Sequence, residues 1–193
     1  MIFRVDDVSL NTDIDRLEKT IETILGYHPT ATIMLAVSLI TFDIGGERMN
    51  PGILNVYSDH KNFFKGSQLG LPDLTRFDTY QNVQIASHGF IHVDHRLLTE
   101  SLVEWNIIQS CAIICPLERV FVPPYHKWDE DVESVCVDND IELVKVEDGW
   151  KHLAYHKIKD SILDTSLTDM KYYFHTFDFE NSYEMEEQLT KEF

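Results

Sequence analysis

Short apolar runs alternate with amphipathic segments along most of the sequence, and this alternation limits the fold more than any other feature. Runs typical of strands occupy residues 2–5, 32–37, 83–86, 119–122, 141–146 and 171–174. Helical spacing occupies residues 12–25, capped by Thr12, and residues 99–114; a short helix follows Asp129, and another is predicted from residue 182. Because strands that alternate with helices build parallel sheets, we expect an α/β fold, either a closed barrel or an open, doubly wound sheet.

The composition is that of an ordinary globular domain. The chain has 193 residues, of which 44% are hydrophobic and 25% charged, so one domain over residues 1–193 is expected. A formal net charge of -17 repels phosphate backbones and anionic membranes, so neither nucleic acid nor a membrane is an expected partner. Charges follow Met1 at once, unlike a secretory signal, which predicts a cytoplasmic location. Cys111, Cys115 and Cys136 are expected to be buried, reduced thiols.

Residues 41–82 interrupt the alternation with glycines, prolines and aromatic residues. A long irregular segment inside a compact domain is usually functional or mobile. Two interpretations stay open. The segment is either an irregular excursion packed by its own aromatic side chains, or a lid over the functional face of the sheet.

Carboxylates and imidazoles follow several of the predicted strands at the point where each strand ends. The residues concerned are Asp6, Asp7, His88, His92, His126 and His175, and Tyr125 lies directly before His126. In parallel α/β folds the carboxyl ends of the strands meet at one face, so we expect these side chains to converge there.

This combination suits metal-assisted hydrolysis. Two neutral imidazoles and one carboxylate bind a divalent ion and leave coordination positions open, and a bound water then loses a proton near neutral pH. A second carboxylate can act as general base, and a separate histidine can protonate the leaving group. His152 and His156 repeat the spacing of His88 and His92 but follow no clear strand end, so they are predicted to lie on the surface. His28 and His60 are predicted to be exposed or structural.

In their order along the chain, these motifs resemble those of the polysaccharide deacetylase family, the NodB-homology carbohydrate esterases. The matching segments are Val5-Asp6-Asp7, His88 with His92, Pro123-Pro124-Tyr125 and Phe174-His175. The resemblance spans residues 2–175. It implies a distorted (β/α) barrel with about seven parallel strands.

The resemblance also implies roles for individual residues. Asp6 would be the base, while Asp7, His88 and His92 would bind one divalent ion, for which zinc is the expected identity. His175 would be the general acid. The remaining implied residues are Tyr125, whose backbone N–H would help to hold the oxyanion, and Pro124, Tyr125 and Trp150, which would contact substrate.

The chain departs from the family pattern at one position that bears on the base. Val122 stands where the family usually carries an arginine oriented toward the base. Arg119 lies three residues earlier, where strand alternation points it to the opposite face. Asp6 is therefore expected to lack one cationic neighbour. Further departures are Val8, where the family usually has glycine after the acidic pair, and Gly89, where it usually has serine or threonine after the first histidine. The family's motif of an aspartate with a tryptophan beyond it is matched only loosely, by Asp148 and Trp150.

The function expected from the sequence is a metal-dependent hydrolase that removes an acetyl group from an N-acetylated sugar or oligosaccharide. Two alternatives remain. One is hydrolysis of another small or cyclic amide on the same barrel. The other is a catalytically inactive sugar- or metal-binding module, since Val122 replaces the expected arginine. The sequence leaves the oligomeric state open.

Overall fold

The computed structural model of the protein describes residues 1–42, 67–152 and 170–175. Nine strands lie in these ranges: β1 (Ile2–Val8), β2 (Thr32–Val37), β3 (Ile40–Phe42), β4 (Ser67–Leu69), β5 (Val83–Ser87), β6 (Val120–Phe121), β7 (Glu142–Leu143), β8 (Trp150–His152) and β9 (Lys171–His175). Three α-helices accompany them: α1 (Ile14–Tyr27), α2 (Glu100–Ile114) and α3 (Glu130–Asp138).

Seven of the strands form one parallel sheet in the order β7-β6-β5-β2-β1-β9-β8. The sheet curls into a half-barrel with β7 and β8 at its two edges. The predicted distorted barrel of about seven parallel strands is therefore confirmed. β1 lies inside the sheet, between β2 and β9, so its carboxyl end has a neighbouring strand on each side.

The apolar residues of the strands and helices pack together in a core between the sheet and the helices. Leu17, Ile21 and Ile24 lie on the buried face of α1 and join Phe3 and Ile33 in the main core cluster. The exposed face of α1 is polar, as helical spacing predicts. The predicted N-cap is one residue early, because Asp13 rather than Thr12 accepts a hydrogen bond from the Arg16 backbone N–H at 3.1 Å. Thr12 instead accepts one from the Ser9 N–H.

Two predicted strands are shorter in the structure, and one strand of the sheet was not predicted. The strand predicted over residues 119–122 is reduced to β6, because Arg119 adopts a φ of 48°. The run 141–146 contains only β7 and leads into a 3₁₀ turn, Val146–Asp148. β8 was not predicted. The helix after Asp129 was predicted, and Asp129 does cap α3 by accepting from the Val132 N–H.

Part of the interrupting segment is described. β3 and β4 pair as an antiparallel ribbon, and a 3₁₀ turn follows at Thr75–Thr79. Residues 43–66 lie outside the described residues, as do His60, His156 and the segment from residue 182, so the lid interpretation and the C-terminal helix stay predictions. The three cysteines are buried and free, as predicted. None of the helices in the described ranges has both the length and the apolar character that a bilayer crossing requires.

The Asp13 cap yields a direct test of the α1 start. Asp13→Ala should lower the free energy of unfolding by about 1 kcal/mol, because the Arg16 N–H loses its acceptor. Asp13→Asn is the matched control, since asparagine caps equally well. Equal stability of the alanine and asparagine variants in urea denaturation would contradict the assignment.

Candidate active site

The carboxyl ends of β1, β5, β8 and β9 and the turn after β6 surround one cavity of about 400 Å³. Its lining consists of Asp6, Asp7, His88, His92, Tyr125, His126, His152, Tyr173 and His175. The structure thus brings together the six residues that the sequence placed at the metal, base, acid and oxyanion positions. It also adds three that were given no role: His126, His152 and Tyr173.

A bend in β1 allows two adjacent aspartates to reach the same cavity. Neighbouring residues of a regular strand point to opposite faces of the sheet. Asp7 departs from the strand conformation with a φ of 63°, and the register with β2 shifts between Val5 and Val8. This irregularity turns Asp7 toward the side that Asp6 already faces.

Asp7, His88 and His92 form a compact group that could hold a metal ion. Asp7 Oδ1 lies 2.9 Å from His92 Nε2 and 3.4 Å from His88 Nε2. The ligand atoms of all three residues lie within 4.8 Å of one another. Three atoms at this spacing can converge on one ion, and the set of two imidazoles and one carboxylate is typical of catalytic zinc sites.

The hydrogen bond of His88 Nδ1 supports a metal-binding role for His88 Nε2. His88 Nδ1 lies 2.8 Å from the backbone carbonyl oxygen of Val122. A carbonyl only accepts, so Nδ1 carries a proton, and in the neutral ring Nε2 is then the nitrogen with the lone pair that a metal would bind. Metal-binding histidines in proteins are commonly oriented by such a bond. The residues present therefore fit a divalent ion.

His88 and His92 lie at the two ends of a turn that follows β5 and not on a helix. The chain turns sharply at Gly89, which has a φ of 95°. Asn106 of α2 fixes the turn by accepting hydrogen bonds from the N–H groups of Phe90 and Ile91, at 2.6 and 3.3 Å. A buried side chain of α2 thus sets the path between the two imidazoles.

The charges in this group favour an ionised carboxylate. Burial by itself raises the pKa of Asp7, but hydrogen bonds from His88 and His92 and their positive charge when protonated lower it, and the net pKa is well below its ordinary value. For His88, burial lowers the pKa while the bond to Asp7 and the nearby carboxylates raise it, and the net shift is upward.

Asp6 does have a cationic neighbour, contrary to the expectation drawn from Val122. Arg4, two residues earlier on β1, donates from Nε to Asp6 Oδ1 at 2.7 Å and from Nη2 to Oδ2 at 2.9 Å. Both side chains are 0% exposed. Because residues two apart on a strand share a face, Arg4 reaches Asp6 from within the same strand, a route that Arg119 lacks.

Aromatic rings hold the Arg4 guanidinium from two sides. Its carbon lies 4.7 Å from the centre of a Trp150 ring and 5.0 Å from that of Tyr173, within the range of cation–π attraction. Trp150 is 8% exposed and belongs to the apolar interior of the barrel together with Val122. The structure thus places Trp150 against Arg4 rather than in the cavity lining where a substrate contact was expected. Asp148 lies in the Val146–Asp148 turn and is also absent from that lining.

The rest of the cavity lining comes from β9, β8 and the turn after β6. The His175 ring lies 6.2 Å from that of His126 and 5.4 Å from that of His152. His152 is exposed, as predicted, but at the cavity rim rather than away from the site. Its position was missed because β8 was missed. His28 is buried against Phe3, in the structural role that was one of its two predicted alternatives.

The turn after β6 holds Tyr125 in an unusual backbone conformation. Pro124 is buried and does not line the cavity, whereas Tyr125 is 51% exposed, and the centres of its ring and of the His92 ring lie 4.6 Å apart in an edge-to-face arrangement. Tyr125 and His126 have φ values of 55° and 56°. Two consecutive left-handed residues other than glycine cost about 1–2 kcal/mol each. Such strain is frequent where a backbone is held for function.

No protein-family model and no curated protein matches the chain. Solved structures do share its fold. A CE4 family pseudoenzyme from Bacillus anthracis has a TM-score of 0.51 and 14% identity, over 100% of this chain and 60% of its own. A family 4 carbohydrate esterase from Streptomyces lividans, in complex with acetate, has a TM-score of 0.51 and 11% identity, over 91% of this chain and 77% of its own.

A mutant of the Bacillus pseudoenzyme, described as having restored enzymatic activity, has a TM-score of 0.52 and 14% identity. The match covers 100% of this chain and 62% of that one, so the chain spans less than two thirds of the pseudoenzyme's length. At this level of identity the likeness shows the fold. The distorted barrel implied by the polysaccharide deacetylase resemblance is therefore the fold of this chain.

The buried Arg4–Asp6 pair can be tested through stability. Arg4→Met keeps the length of the side chain between its aromatic neighbours but leaves a buried carboxylate without its cation. Loss of one partner of such a pair costs about 3–5 kcal/mol. The double variant Arg4→Met/Asp6→Asn should lose less than the sum of the single variants in denaturant unfolding. Additive losses would show that the two side chains do not interact.

Gly89 tests the turn that joins the two histidines. A Cβ at Gly89 would lie 2.8 Å from the Ile91 carbonyl oxygen, whereas one at Gly149, which has a similar φ of 92°, would meet nothing within 4 Å. Gly149→Ala should cost about 1–2 kcal/mol from its backbone conformation alone. Gly89→Ala should cost more, and it alone should weaken zinc binding in a metal titration. Equal zinc affinity of both variants would contradict the role of the turn.

Proposed function

We propose that this protein is a metal-dependent hydrolase that removes an acetyl group from an N-acetylated sugar or oligosaccharide. The arrangement of Asp6 carries the proposal. A carboxylate, held by Arg4 and not needed as a ligand, lies next to a group of three residues with the composition of a catalytic metal site. A site that only stored or sensed a metal would not require this additional buried carboxylate.

Asp7, His88 and His92 would hold the ion, with zinc as the proposed identity. A divalent ion at this site lowers the pKa of water and polarises a carbonyl. His88 is already in the tautomer that this requires, because Val122 accepts its Nδ1 proton. The three ligands leave positions open for water and substrate.

Asp6 would act as the general base. Arg4 holds both carboxylate oxygens in place with two hydrogen bonds. Each carboxylate oxygen keeps a further lone pair, so the pair with Arg4 does not prevent Asp6 from accepting a proton. The rigid bidentate contact holds the base in position throughout turnover.

His175 and Tyr125 would supply the acid and the oxyanion contact. His175, at the end of β9, would protonate the departing amine. The backbone N–H of Tyr125 would help to stabilise the oxyanion, and its half-exposed ring would contact substrate. The strained backbone at Tyr125 agrees with a backbone group that is held for such a purpose.

The sugar substrate is proposed from the barrel and the site together, since a related fold carries a carbohydrate esterase solved with acetate. A small or cyclic amide is the alternative within the same chemistry. A catalytically inactive module is the alternative of another kind, and the likeness to a pseudoenzyme favours it. Acetate release from N-acetylglucosamine oligomers distinguishes the first function from the second. Metal content without turnover of any amide substrate would favour the third.

The two adjacent aspartates should respond differently to the same substitution. Asp7→Asn should lower both zinc content and turnover, because a neutral amide is a poor ligand. Asp6→Asn should keep the zinc and lose turnover by about 10²–10⁴-fold, the usual contribution of general acid–base catalysis. Elemental analysis beside acetate release measures both properties. Should Asp6→Asn lose the metal while Asp7→Asn keeps it, the two roles are reversed.

The histidines provide the matched controls. His88→Ala and His92→Ala should lose the metal, while His152→Ala should keep it, because His152 lies outside the Asp7 group although it lines the same cavity. His175→Ala should keep the metal and lower turnover, as Asp6→Asn does. Metal content that survives both His88→Ala and His92→Ala would show that the site lies elsewhere.

A further inference from the structure

His126 lines the cavity beside Asp6 and has no role in the proposed chemistry so far. It follows Tyr125 in the strained turn after β6, and its side chain is 20% exposed. Its ring packs edge-on against Tyr173, with centroids 4.4 Å apart. The backbone strain and the ring packing together hold His126 in one orientation.

The hydrogen bond with Arg4 determines which nitrogen of His126 carries the proton. Arg4 Nη2 lies 3.1 Å from His126 Nδ1. Nη2 has two hydrogens, one of which it donates to Asp6 Oδ2. A guanidinium group has no acceptor, so Nδ1 must be the acceptor of the second hydrogen. The single proton of the neutral imidazole is therefore on Nε2.

The neutral form is the one that this environment favours. Burial lowers the pKa of His126 to about 4, and although the Asp6 charge raises it, Arg4, His88 and His175 oppose protonation. An imidazolium would also place an Nδ1 proton against the Arg4 donor. His126 thus presents an N–H to the cavity over the range in which an exposed histidine gains its proton.

This Nε2–H has no acceptor in the described part of the protein. The carboxylate nearest to it, Asp6 Oδ2, lies 3.8 Å away, which is too long for a hydrogen bond. A donor that is held at a cavity wall without an acceptor is available to a ligand. His88 and His126 therefore present opposite groups to the same cavity: a lone pair from His88 and a proton from His126.

Two other roles for His126 are excluded by this tautomer. Asp6, His126 and His175 are close enough to suggest a second metal group. However, the one lone pair of His126 is bound by Arg4, whose positive charge also lies beside Asp6, so this group does not suit a cation. A general acid must first gain a proton, which the Arg4 contact opposes, and that role stays with His175.

We propose that His126 is a substrate-binding residue whose Nε2–H, fixed by Arg4, donates a hydrogen bond to a hydroxyl or carbonyl oxygen of the substrate next to the base. This assignment rests on the proposed function and adds a specificity-determining contact to it. It also implies one metal ion in the cavity rather than two.

The tautomer can be measured without turnover. Two-bond ¹H–¹⁵N spectra of the full chain labelled with ¹⁵N in histidine distinguish a protonated from an unprotonated ring nitrogen, and His126→Gln assigns the signals of His126. We expect a protonated Nε2 and an unprotonated Nδ1 at neutral pH. A protonated Nδ1 would overturn the proposal.

Two substitutions test the donor. His126→Gln places an amide N–H near the Nε2 position, whereas His126→Leu fills similar space without a donor. His126→Leu should raise KM, and the Kd of an N-acetylglucosamine oligomer measured by calorimetry, by about 3- to 10-fold, the value of one hydrogen bond. His126→Gln should stay within about 2-fold of the parent. Both variants should keep the parent's pH profile of kcat, because His126 transfers no proton.

The outcomes separate this inference from the proposed function. Equal binding by the leucine and glutamine variants, or a pH profile changed as in His175→Ala, would overturn the donor role. If the parent binds the oligomer without releasing acetate, hydrolysis fails as the function, while the binding difference between the two variants still supports His126. If the parent neither binds nor cleaves the oligomer, both proposals fail.

Discussion

The Asp6 side chain is buried, and the guanidinium of Arg4 pairs with both of its carboxylate oxygens. Burying a carboxylate is unfavourable unless an opposite charge and hydrogen bonds accompany it. The remaining structure on this side of the site follows from the pair. Trp150 and Tyr173 pack against the guanidinium, and His126 accepts the hydrogen that Asp6 leaves unused. One arginine thus positions a base, two rings and an imidazole.

Much of the fold and the centre of the site could be predicted because their signals are local or periodic. Apolar runs and helical spacing identified six of the seven strands in the main sheet. The rule that the carboxyl ends of parallel strands meet then brought Asp7 together with His88 and His92 from distant parts of the chain. The spacing of the two histidines did not predict the turn between them, since that depends on Asn106, a side chain of α2 whose contact has no signature in sequence.

The pairing of Arg4 with Asp6 was not predicted, although a position two residues earlier on a strand places both side chains on one face. The resemblance expects the arginine at the position of Val122 instead. His126 could not have been assigned in the same way. Its tautomer depends on a contact between residues 122 positions apart. Its orientation depends on two residues with left-handed backbone conformation, neither of which is a glycine that would indicate this conformation in the sequence. The positions of Trp150 and His152 were not predicted, because β8 has only three residues and, among the described strands, pairs with β9 alone.

The left-handed bend at Asp7 has a consequence for anyone who would transfer this chemistry to another protein. The left-handed φ of Asp7, rather than a side-chain rotamer, brings the two carboxylates to the same cavity. The shifted register between β1 and β2 accompanies this bend. Two aspartates placed at the end of an ordinary parallel strand would face opposite sides of the sheet, one toward the cavity and the other toward the helices. Transferring the Asp-Asp dipeptide alone would therefore reproduce the two residues without their geometry. The backbone bend at Asp7 would have to be transferred with them.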